Sequence, residues 1–243
     1  MKTLSAEGFP FVDSAEFFAL ECENVSHNGS AFVDNRAIMA EQRPLINILP
    51  VGWNHAAWNG EFYPEDLPPE WRLSYFANEF PGVLIPQQDW CVSENQGLRS
   101  WSDDVVEGFR FFLTLNQMLD LEVRVDVANS LEGNFGGFVI PARMRQRFAG
   151  QDNLQTPEIN YYTLLCKEFA FNDRSLRGFD ARQIAFLISM SDLPDLKGQR
   201  LFLERIATEV TADAEVLLFI QGDPPELDSL RDFRTLAQLL GFA

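Results

Sequence analysis

The stretch of sequence that decides the fold runs from Leu45 to Trp90 and reads LINILPVGWNHAAWNGEFYPEDLPPEWRLSYFANEFPGVLIPQQDW. Its opening is an apolar run that ends at Gly52 and has the length and branching of a buried strand. Apolar residues then recur with a helical period between Pro69 and Phe80. Pro81-Gly82 ends that helix, and a second apolar run follows. The stretch therefore predicts a β–loop–α–β unit.

The loop after the first strand is rich in aromatic and polar residues. In α/β folds, loops that follow the carboxyl ends of strands are where ligands bind. Three aromatic side chains of this loop could stack on a sugar, a base or another aromatic ligand. We therefore predict Trp53, Trp58 and Tyr63 as ligand-binding residues. The alternative is that they pack against the first helix.

Several motifs within the stretch follow one another in an order known from a protein family. They are Gly52-Trp53, Trp58-Asn59-Gly60-Glu61-Phe62-Tyr63-Pro64, Leu67-Pro68 and Leu73-Ser74-Tyr75-Phe76-Ala77. In these motifs the chain resembles the YecE-like family, domain of unknown function 72, as a divergent member. Trp101 with Glu107-Gly108-Phe109-Arg110-Phe111 is similar to the family's third strand. The resemblance spans mainly residues 46–141 and implies a TIM-barrel-like fold.

The chain departs from the family at positions that would line a pocket. Ile85-Pro86-Gln87-Gln88-Asp89-Trp90 stands where the family's second strand carries an N-S-T-F-Y segment. Leu113-Thr114-Leu115-Asn116-Gln117 lacks the lysine and the T-H pair that end the family's third strand. No E-F-R-H segment occurs in the chain. The resemblance therefore implies a barrel scaffold whose pocket residues are degenerate.

Apolar runs and turn signals predict the remaining elements. Expected strands are residues 46–51, 82–86, 109–115, 123–127, 137–140, 184–190 and 216–220. Residues 161–171 fit either a strand or a helix, and Gly133 to Gly137 are predicted as a turn. Alternation of strands and helices favours a mostly parallel sheet. We predict an α/β, TIM-barrel-like fold, incomplete or distorted, with an open mostly parallel sheet as the alternative.

The length of 243 residues fits a single α/β domain. Residues 1–44 precede the family-like opening, and we predict them to be an N-terminal extension with short helices near 14–24 and 35–42. The extension would pack on the domain or mediate contacts in a homodimer. The first residues lack the apolar segment of a secretory signal, and no apolar run is long enough for a membrane span. We therefore expect a cytoplasmic protein without membrane contacts.

The net charge of −17 is the clearest global property of the chain. Nucleic-acid-binding proteins normally present a basic face, so we expect no nucleic-acid partner. The densest basic cluster is Arg143, Arg145 and Arg147, of which only Arg143 and Arg147 would share a helix face. That face is either solvated or binds an anion. An unknown small molecule or another protein is the expected partner.

The candidates for chemistry are few. Cys22, Cys91 and Cys166 fit no metal-binding spacing, so we predict neither a metal nor a cofactor. His55 follows the first strand and titrates near neutrality, which makes it a candidate acid or base. Asp192 and Asp223 each follow a strand and complete the predicted catalytic set. The alternatives are a backbone-bonded loop histidine and, for the aspartates, turns or helix caps.

Two functions remain open from the sequence. The missing pocket residues and the retained aromatic loop favour a protein that binds a small molecule or another protein. The alternative is a hydrolase or isomerase that acts on a small substrate at the C-terminal mouth of the barrel, with His55, Asp192 and Asp223 as its catalytic residues.

Overall fold

Seven parallel strands form one sheet in the part of the chain that the structure describes. A computed structural model describes residues 43–91, 95–117, 119–149, 159–165, 183–193 and 195–242. The strands are β1 (Leu45–Pro50), β2 (Gly82–Ile85), β3 (Arg110–Thr114), β4 (Phe135–Pro141), β5 (Tyr161–Leu165), β6 (Gln183–Ser189) and β7 (Glu215–Gln221). The predicted short helices near 14–24 and 35–42 lie outside the described residues.

The sheet curls into a nearly closed barrel. Its strand order is β1-β7-β6-β5-β4-β3-β2, and every neighbouring pair is parallel. The two edge strands meet at one parallel bridge between Val51 and Leu84. There the Gly52 amide donates to the Leu84 carbonyl at 2.9 Å. The predicted TIM-barrel-like fold is confirmed, in an incompletely closed form, and the open sheet is not observed. We call the meeting of β1 and β2 the seam.

Helices flank the strands. In the described part of the chain they are α1 (Arg72–Glu79), α2 (Gln87–Trp90), α3 (Asn95–Asp103), α4 (Leu121–Ser130), α5 (Ala142–Ala149), α6 (Leu196–Glu209) and α7 (Leu227–Leu239). Short 3₁₀ turns occupy Ala56–Trp58, Pro69–Trp71, Glu132–Asn134 and Met190–Asp192. None of these helices is long and apolar enough to cross a membrane.

Two apolar cores follow from the period of two along each strand. One set of side chains points outward under the helices, and the other set fills the barrel interior. All seven strands contribute to the interior set, which consists of Leu49, Leu84, Phe112, Val139, Tyr162, Leu164, Ala185, Leu217 and Phe219. The barrel is therefore a packed core, as in other barrels of this kind, and carries no open channel through this layer.

A polar network closes the amino-terminal end of the interior. Glu215, the first residue of β7, accepts hydrogen bonds from Arg110 (2.5 Å), Asn47 (2.9 Å) and the hydroxyl of Tyr162 (2.5 Å). About a quarter of the Glu215 side chain is exposed (25%). Arg110 also lies over the ring of Phe112, with 5.3 Å from its guanidinium carbon to the ring centroid. One carboxylate thus links three other strands of the barrel.

The predicted strand at 123–127 is wrong, because these residues lie inside α4. The alternating valines suggested a period of two, but the buried stripe has a helical period: Arg124, Val127 and Ser130 are the buried residues. Arg124 is 3% exposed and donates to the hydroxyl of Tyr161 at 2.6 Å. A buried, hydrogen-bonded arginine therefore decides which face of the segment packs.

The predicted turn at Gly133 to Gly137 is correct only in its first part. Glu132–Asn134 forms a 3₁₀ turn, whereas Gly136 and Gly137 belong to β4. A Cβ atom on Gly136 would lie 2.8 Å from the Phe112 ring. Gly136 is therefore needed for close packing of β4 against β3, and Gly137, whose Cβ would lie 2.8 Å from the Asn160 carbonyl oxygen, for close packing on the β5 side. In the sequence, such glycines look like a turn signal.

Candidate functional site

The candidate site lies where β1 leaves the barrel at its carboxyl edge, which we call the mouth. Gly52 has a φ of +70°, in the left-handed region that favours glycine. This conformation turns the chain out of β1 directly after the bridge to β2. The Ala56–Trp58 turn follows, so the seam and the site share one short segment of backbone.

His55 folds back onto the end of β1. Its Nε2 atom lies 2.9 Å from the carbonyl oxygen of Val51. Because a carbonyl oxygen only accepts, Nε2 carries the proton, and in the neutral imidazole Nδ1 is then the acceptor. The imidazole also packs edge-on against the ring of Trp58 at 4.4 Å between centroids. The histidine is therefore held in one orientation and one tautomer.

Two carboxylates, which follow neighbouring strands, influence the pKa of His55. Burial lowers the pKa of His55, and the Val51 carbonyl, Asp223 and Asp89 each oppose that shift. Partial desolvation of the carboxyl group raises the pKa of Asp89, and His55 opposes this shift. Asp223 follows β7, and Asp89 lies on α2 just after β2. The three groups follow β7, β1 and β2, which are consecutive around the barrel, so they share its carboxyl edge.

Asp192, the third predicted catalytic residue, lies after β6 in a helix-capping arrangement. Its Oδ2 accepts from the Ser189 amide at 3.3 Å, and the Ser189 side chain accepts from the Ser191 amide. A catalytic role for Asp192, like those of His55 and Asp223, stays a prediction.

The predicted ligand-binding aromatic residues differ in exposure. Trp58 is 2% exposed and Tyr63 is 1% exposed. Trp58 stacks on Phe76 at 6.2 Å, and Tyr63 donates to the carbonyl of Trp53. Trp53 is half-buried and meets Trp101 edge-on at 4.8 Å. Trp53 is therefore the most accessible of the three, and ligand binding by the set stays a prediction.

Two residues near the mouth were missed by sequence reasoning. Asp89 and Gln87 lie in the segment that we treated only as a departure from the family pattern. The Oε1 atom of Gln87, a buried residue, accepts from the amides of Asn116 (2.6 Å) and Gln117 (2.9 Å). This side chain thereby ties the loop after β3 to α2. The signal that could have found both residues is their position just after the end of β2.

The residues present do not suggest a metal centre. No group of three or more His, Cys, Asp or Glu side chains within the described ranges could hold a metal ion. The arrangement at the mouth instead offers a neutral imidazole and two carboxylates, which together accept hydrogen bonds and attract positive charge.

The glycine at the turn allows a direct test of the site geometry. We expect Gly52→Ala to lower the free energy of unfolding by about 1–2 kcal/mol, because alanine is strained at positive φ. Its Cβ would also lie 3.0 Å from Nε2 of His55, so the imidazole must move away from Val51. Urea unfolding measures the first effect, and the NMR shift of His55 reports the second.

A matched control for this variant is Gly133→Ala, since a Cβ on Gly133 meets nothing within 4 Å and its φ lies outside the left-handed region. Equal stability losses in the two variants would contradict the role given to Gly52.

Comparisons with known proteins agree with the fold. A model of the family described as Protein of unknown function DUF72 matches residues 50–151. The resemblance to DUF72 is confirmed, as a divergent and partial one. The crystal structure of a DUF72 family protein from Thermotoga maritima is similar with a TM-score of 0.52 and 13% identity, covering 80% of this chain and 99% of that one. At this identity the likeness to a DUF72 protein shows the fold alone.

A second DUF72 family protein, from Enterococcus faecalis, has a TM-score of 0.48 and 8% identity, covering 83% of this chain and 100% of that one. No curated protein matches the chain. The matched segment, residues 50–151, contains the β1 loop, β2, α2 and β3. His55 and Asp89 therefore lie inside the matched DUF72 segment, whereas Asp223 lies outside it.

Proposed function

We propose that the protein binds a small, positively charged molecule at the mouth of the barrel, around His55, Asp89 and Asp223. The observation that supports this proposal most is the convergence of these three groups from consecutive loops onto one place. Asp89 and Asp223 are both exposed, so a ligand can reach them. The packed interior leaves the mouth as the natural place for such a ligand.

The charges at the site favour a cation over an anion. The two carboxylates attract positive charge, and a neutral imidazole accepts a hydrogen bond from an ammonium or guanidinium group. The net charge of −17 adds long-range attraction for cations. Trp53, half-buried in the same loop, could cover the apolar part of such a molecule.

A proton-transfer enzyme is the second candidate, and one observation favours it. With Nε2 bound to Val51, the neutral His55 presents Nδ1 as a base at neutral pH. A hydrolase or isomerase would use His55 in that role, with Asp223 stabilising the imidazolium form. Its activity would rise as pH increases through the lowered pKa of His55.

The electrostatic coupling predicts a measurable titration. We expect His55 to titrate below its ordinary value of 6.5, because burial outweighs the carboxylates. Asp223→Asn and Asp89→Asn should each lower that pKa further, since each removes a negative charge that favours the imidazolium. NMR titration of the Cε1 protons measures this, with His27 as the only other histidine signal.

The sign of the stability effect follows from the direction of the shift. A native pKa below 6.5 means that the unfolded chain binds more protons in the window between the two values. The free energy of unfolding should therefore fall as pH decreases from 6.5 toward the native pKa. Asp126→Asn changes an exposed residue of α4 and is a matched control that should leave the His55 titration unchanged. A raised His55 pKa in Asp223→Asn would contradict the geometry.

Ligand binding is tested with small probes of opposite charge. Ethylammonium should shift the His55 signal in a saturable way, and propionate should not. The double variant Asp89→Asn/Asp223→Asn should lose this response, whereas Asp126→Asn should keep it. An equal response to both probes, or an unchanged response in the double variant, would overturn the proposal.

A further inference from the structure

A second surface, separate from the mouth, carries an exposed aromatic pair. Trp71, which caps α1 with helical backbone angles, is 63% exposed, and Tyr75 within α1 is 39% exposed. The two residues are four positions apart, so they lie on one side of the helix. Most Trp side chains are largely buried, and exposed Trp and Tyr are enriched at interfaces between proteins. We call this pair the Trp71 patch.

Packing holds the Tyr75 half of the Trp71 patch in place. The Tyr75 ring packs edge-on against Phe62 at 5.3 Å and against Tyr63 at 5.9 Å. Phe62 in turn meets Phe76 and Phe80 on the buried side of α1. An aromatic anchor that is already fixed loses little conformational freedom on binding, which favours recognition of a partner.

Acidic residues surround the Trp71 patch. Glu70 precedes Trp71 directly and is exposed. The Ser74 hydroxyl donates to the Asp104 carbonyl at 2.6 Å, which places the loop after α3 along α1. Asp103, the last residue of α3, and Asp104 in that loop are both exposed. The same loop also presents Val106, which is 49% exposed.

Positive charge is scarce in the segments that build this surface. Residues 61–107 contain ten Asp and Glu residues but only Arg72 and Arg99 as basic ones, with no lysine or histidine. Arg72 turns toward the β1 loop, where it donates to Asn54 at 3.0 Å and lies over the Tyr63 ring at 5.6 Å. Arg231 of α7 approaches the surface over the Phe62 ring at 5.9 Å, but it pairs with Glu79 at 2.9 Å and Asp228 at 3.0 Å. The patch is therefore apolar at its centre and negative at its rim.

We propose that the Trp71 patch is a docking surface for a basic, amphipathic segment of a partner protein. Apolar residues of that segment would cover Trp71 and Tyr75, while its lysines or arginines would pair with Glu70, Asp103 and Asp104. Charge complementarity selects this occupant. A second copy of this chain would bring the same acidic rim, and an anionic membrane surface would be repelled.

The test uses the whole protein and a labelled helical peptide of about 18 residues built from Leu and Lys with one apolar face. Fluorescence anisotropy should show binding to the wild-type protein that weakens as salt rises. Trp71→Ser should weaken binding by about tenfold or more, as expected for an aromatic anchor. Asp103→Asn/Asp104→Asn should weaken it less and reduce its dependence on salt.

Two controls separate the surface from general stickiness. Leu239→Ser replaces an apolar residue that is 81% exposed on α7 and should bind the peptide like the wild type. A peptide with Glu in place of Lys should not bind. Unchanged thermal unfolding in Trp71→Ser confirms that the variant is folded.

Three results would overturn the proposal. One is equal binding of the Leu-Lys peptide by the wild type and Trp71→Ser. Another is concentration-dependent dimerisation that Trp71→Ser abolishes, which would make a second copy the occupant. The third is Trp71-dependent binding to vesicles of anionic lipid without binding to the peptide.

Discussion

Trp58→Ala is expected to lower the free energy of unfolding by about 3–5 kcal/mol, the usual loss for removing a large buried aromatic side chain. The Trp58 side chain is 2% exposed and stacks on Phe76 with 18° between the ring planes. Its indole nitrogen donates to the carbonyl of Pro225 at 3.3 Å, beyond the end of β7. The variant would therefore lose contacts to α1 and to the last strand's loop together.

Urea unfolding followed by circular dichroism measures this loss. Trp71→Ala serves as the matched control, because Trp71 is 63% exposed and its loss should cost no more than about 0.5 kcal/mol. The stability loss of Trp58→Phe should lie between those of Trp58→Ala and Trp71→Ala, since phenylalanine keeps an aromatic ring but lacks the indole donor. A loss below about 1 kcal/mol for Trp58→Ala would argue against a core role and for a ligand-binding role of this residue.

Glu215→Ala is expected to lower the free energy of unfolding by about 2–3 kcal/mol. The substitution removes the acceptor for Arg110, Asn47 and Tyr162 together. It also leaves the Arg110 guanidinium beside the Phe112 ring without its carboxylate. Partial exposure of Glu215 and Arg110 (25% and 35% of the side chains) keeps the loss below that of a fully buried ion pair.

The matched control for this variant is Glu209→Ala at the exposed end of α6, where we expect a change within about 0.5 kcal/mol. Arg110→Met and the double variant complete a cycle that isolates the coupling between the two charged groups. Additive losses would show that the carboxylate and the guanidinium contribute independently, contrary to the network. The midpoint temperature of thermal unfolding should fall by roughly 2–4 °C for each kcal/mol of unfolding free energy lost.

Much of the fold could be predicted from apolar runs. Strands that are buried on both sides read as continuous apolar sequence, which is why β1, β2, β6 and β7 were found with small errors at their ends. The segment around β5 was ambiguous, because Tyr161–Leu165 is too short for periodicity to separate a strand from a helix. The alternating valines of α4 were wrongly predicted to form a strand. The helical period was hidden because a buried arginine occupies a position in the buried stripe where an apolar residue is usual.

The candidate site was only partly accessible to sequence reasoning. His55 and Asp223 could be chosen because each follows a strand that was recognised correctly. Their proximity could not be predicted, because it depends on β7 lying beside β1 in the barrel. Asp89 was missed, because a lone carboxylate in an unremarkable helix looks the same in sequence whether it faces water or a histidine. Burial of Trp58 and Tyr63 likewise depends on packing with α1.

The order of the strands makes the site depend on the synthesis of β7. His55 and Asp89 belong to the first two strand loops described, whereas Asp223 follows the last strand. β7 is also the partner that flanks β1 opposite the seam. A nascent chain that has released only β1 to β6 therefore has neither the third group nor the wall beside His55. The mouth of this barrel acquires its full charge pattern only once the chain has been made through Asp223.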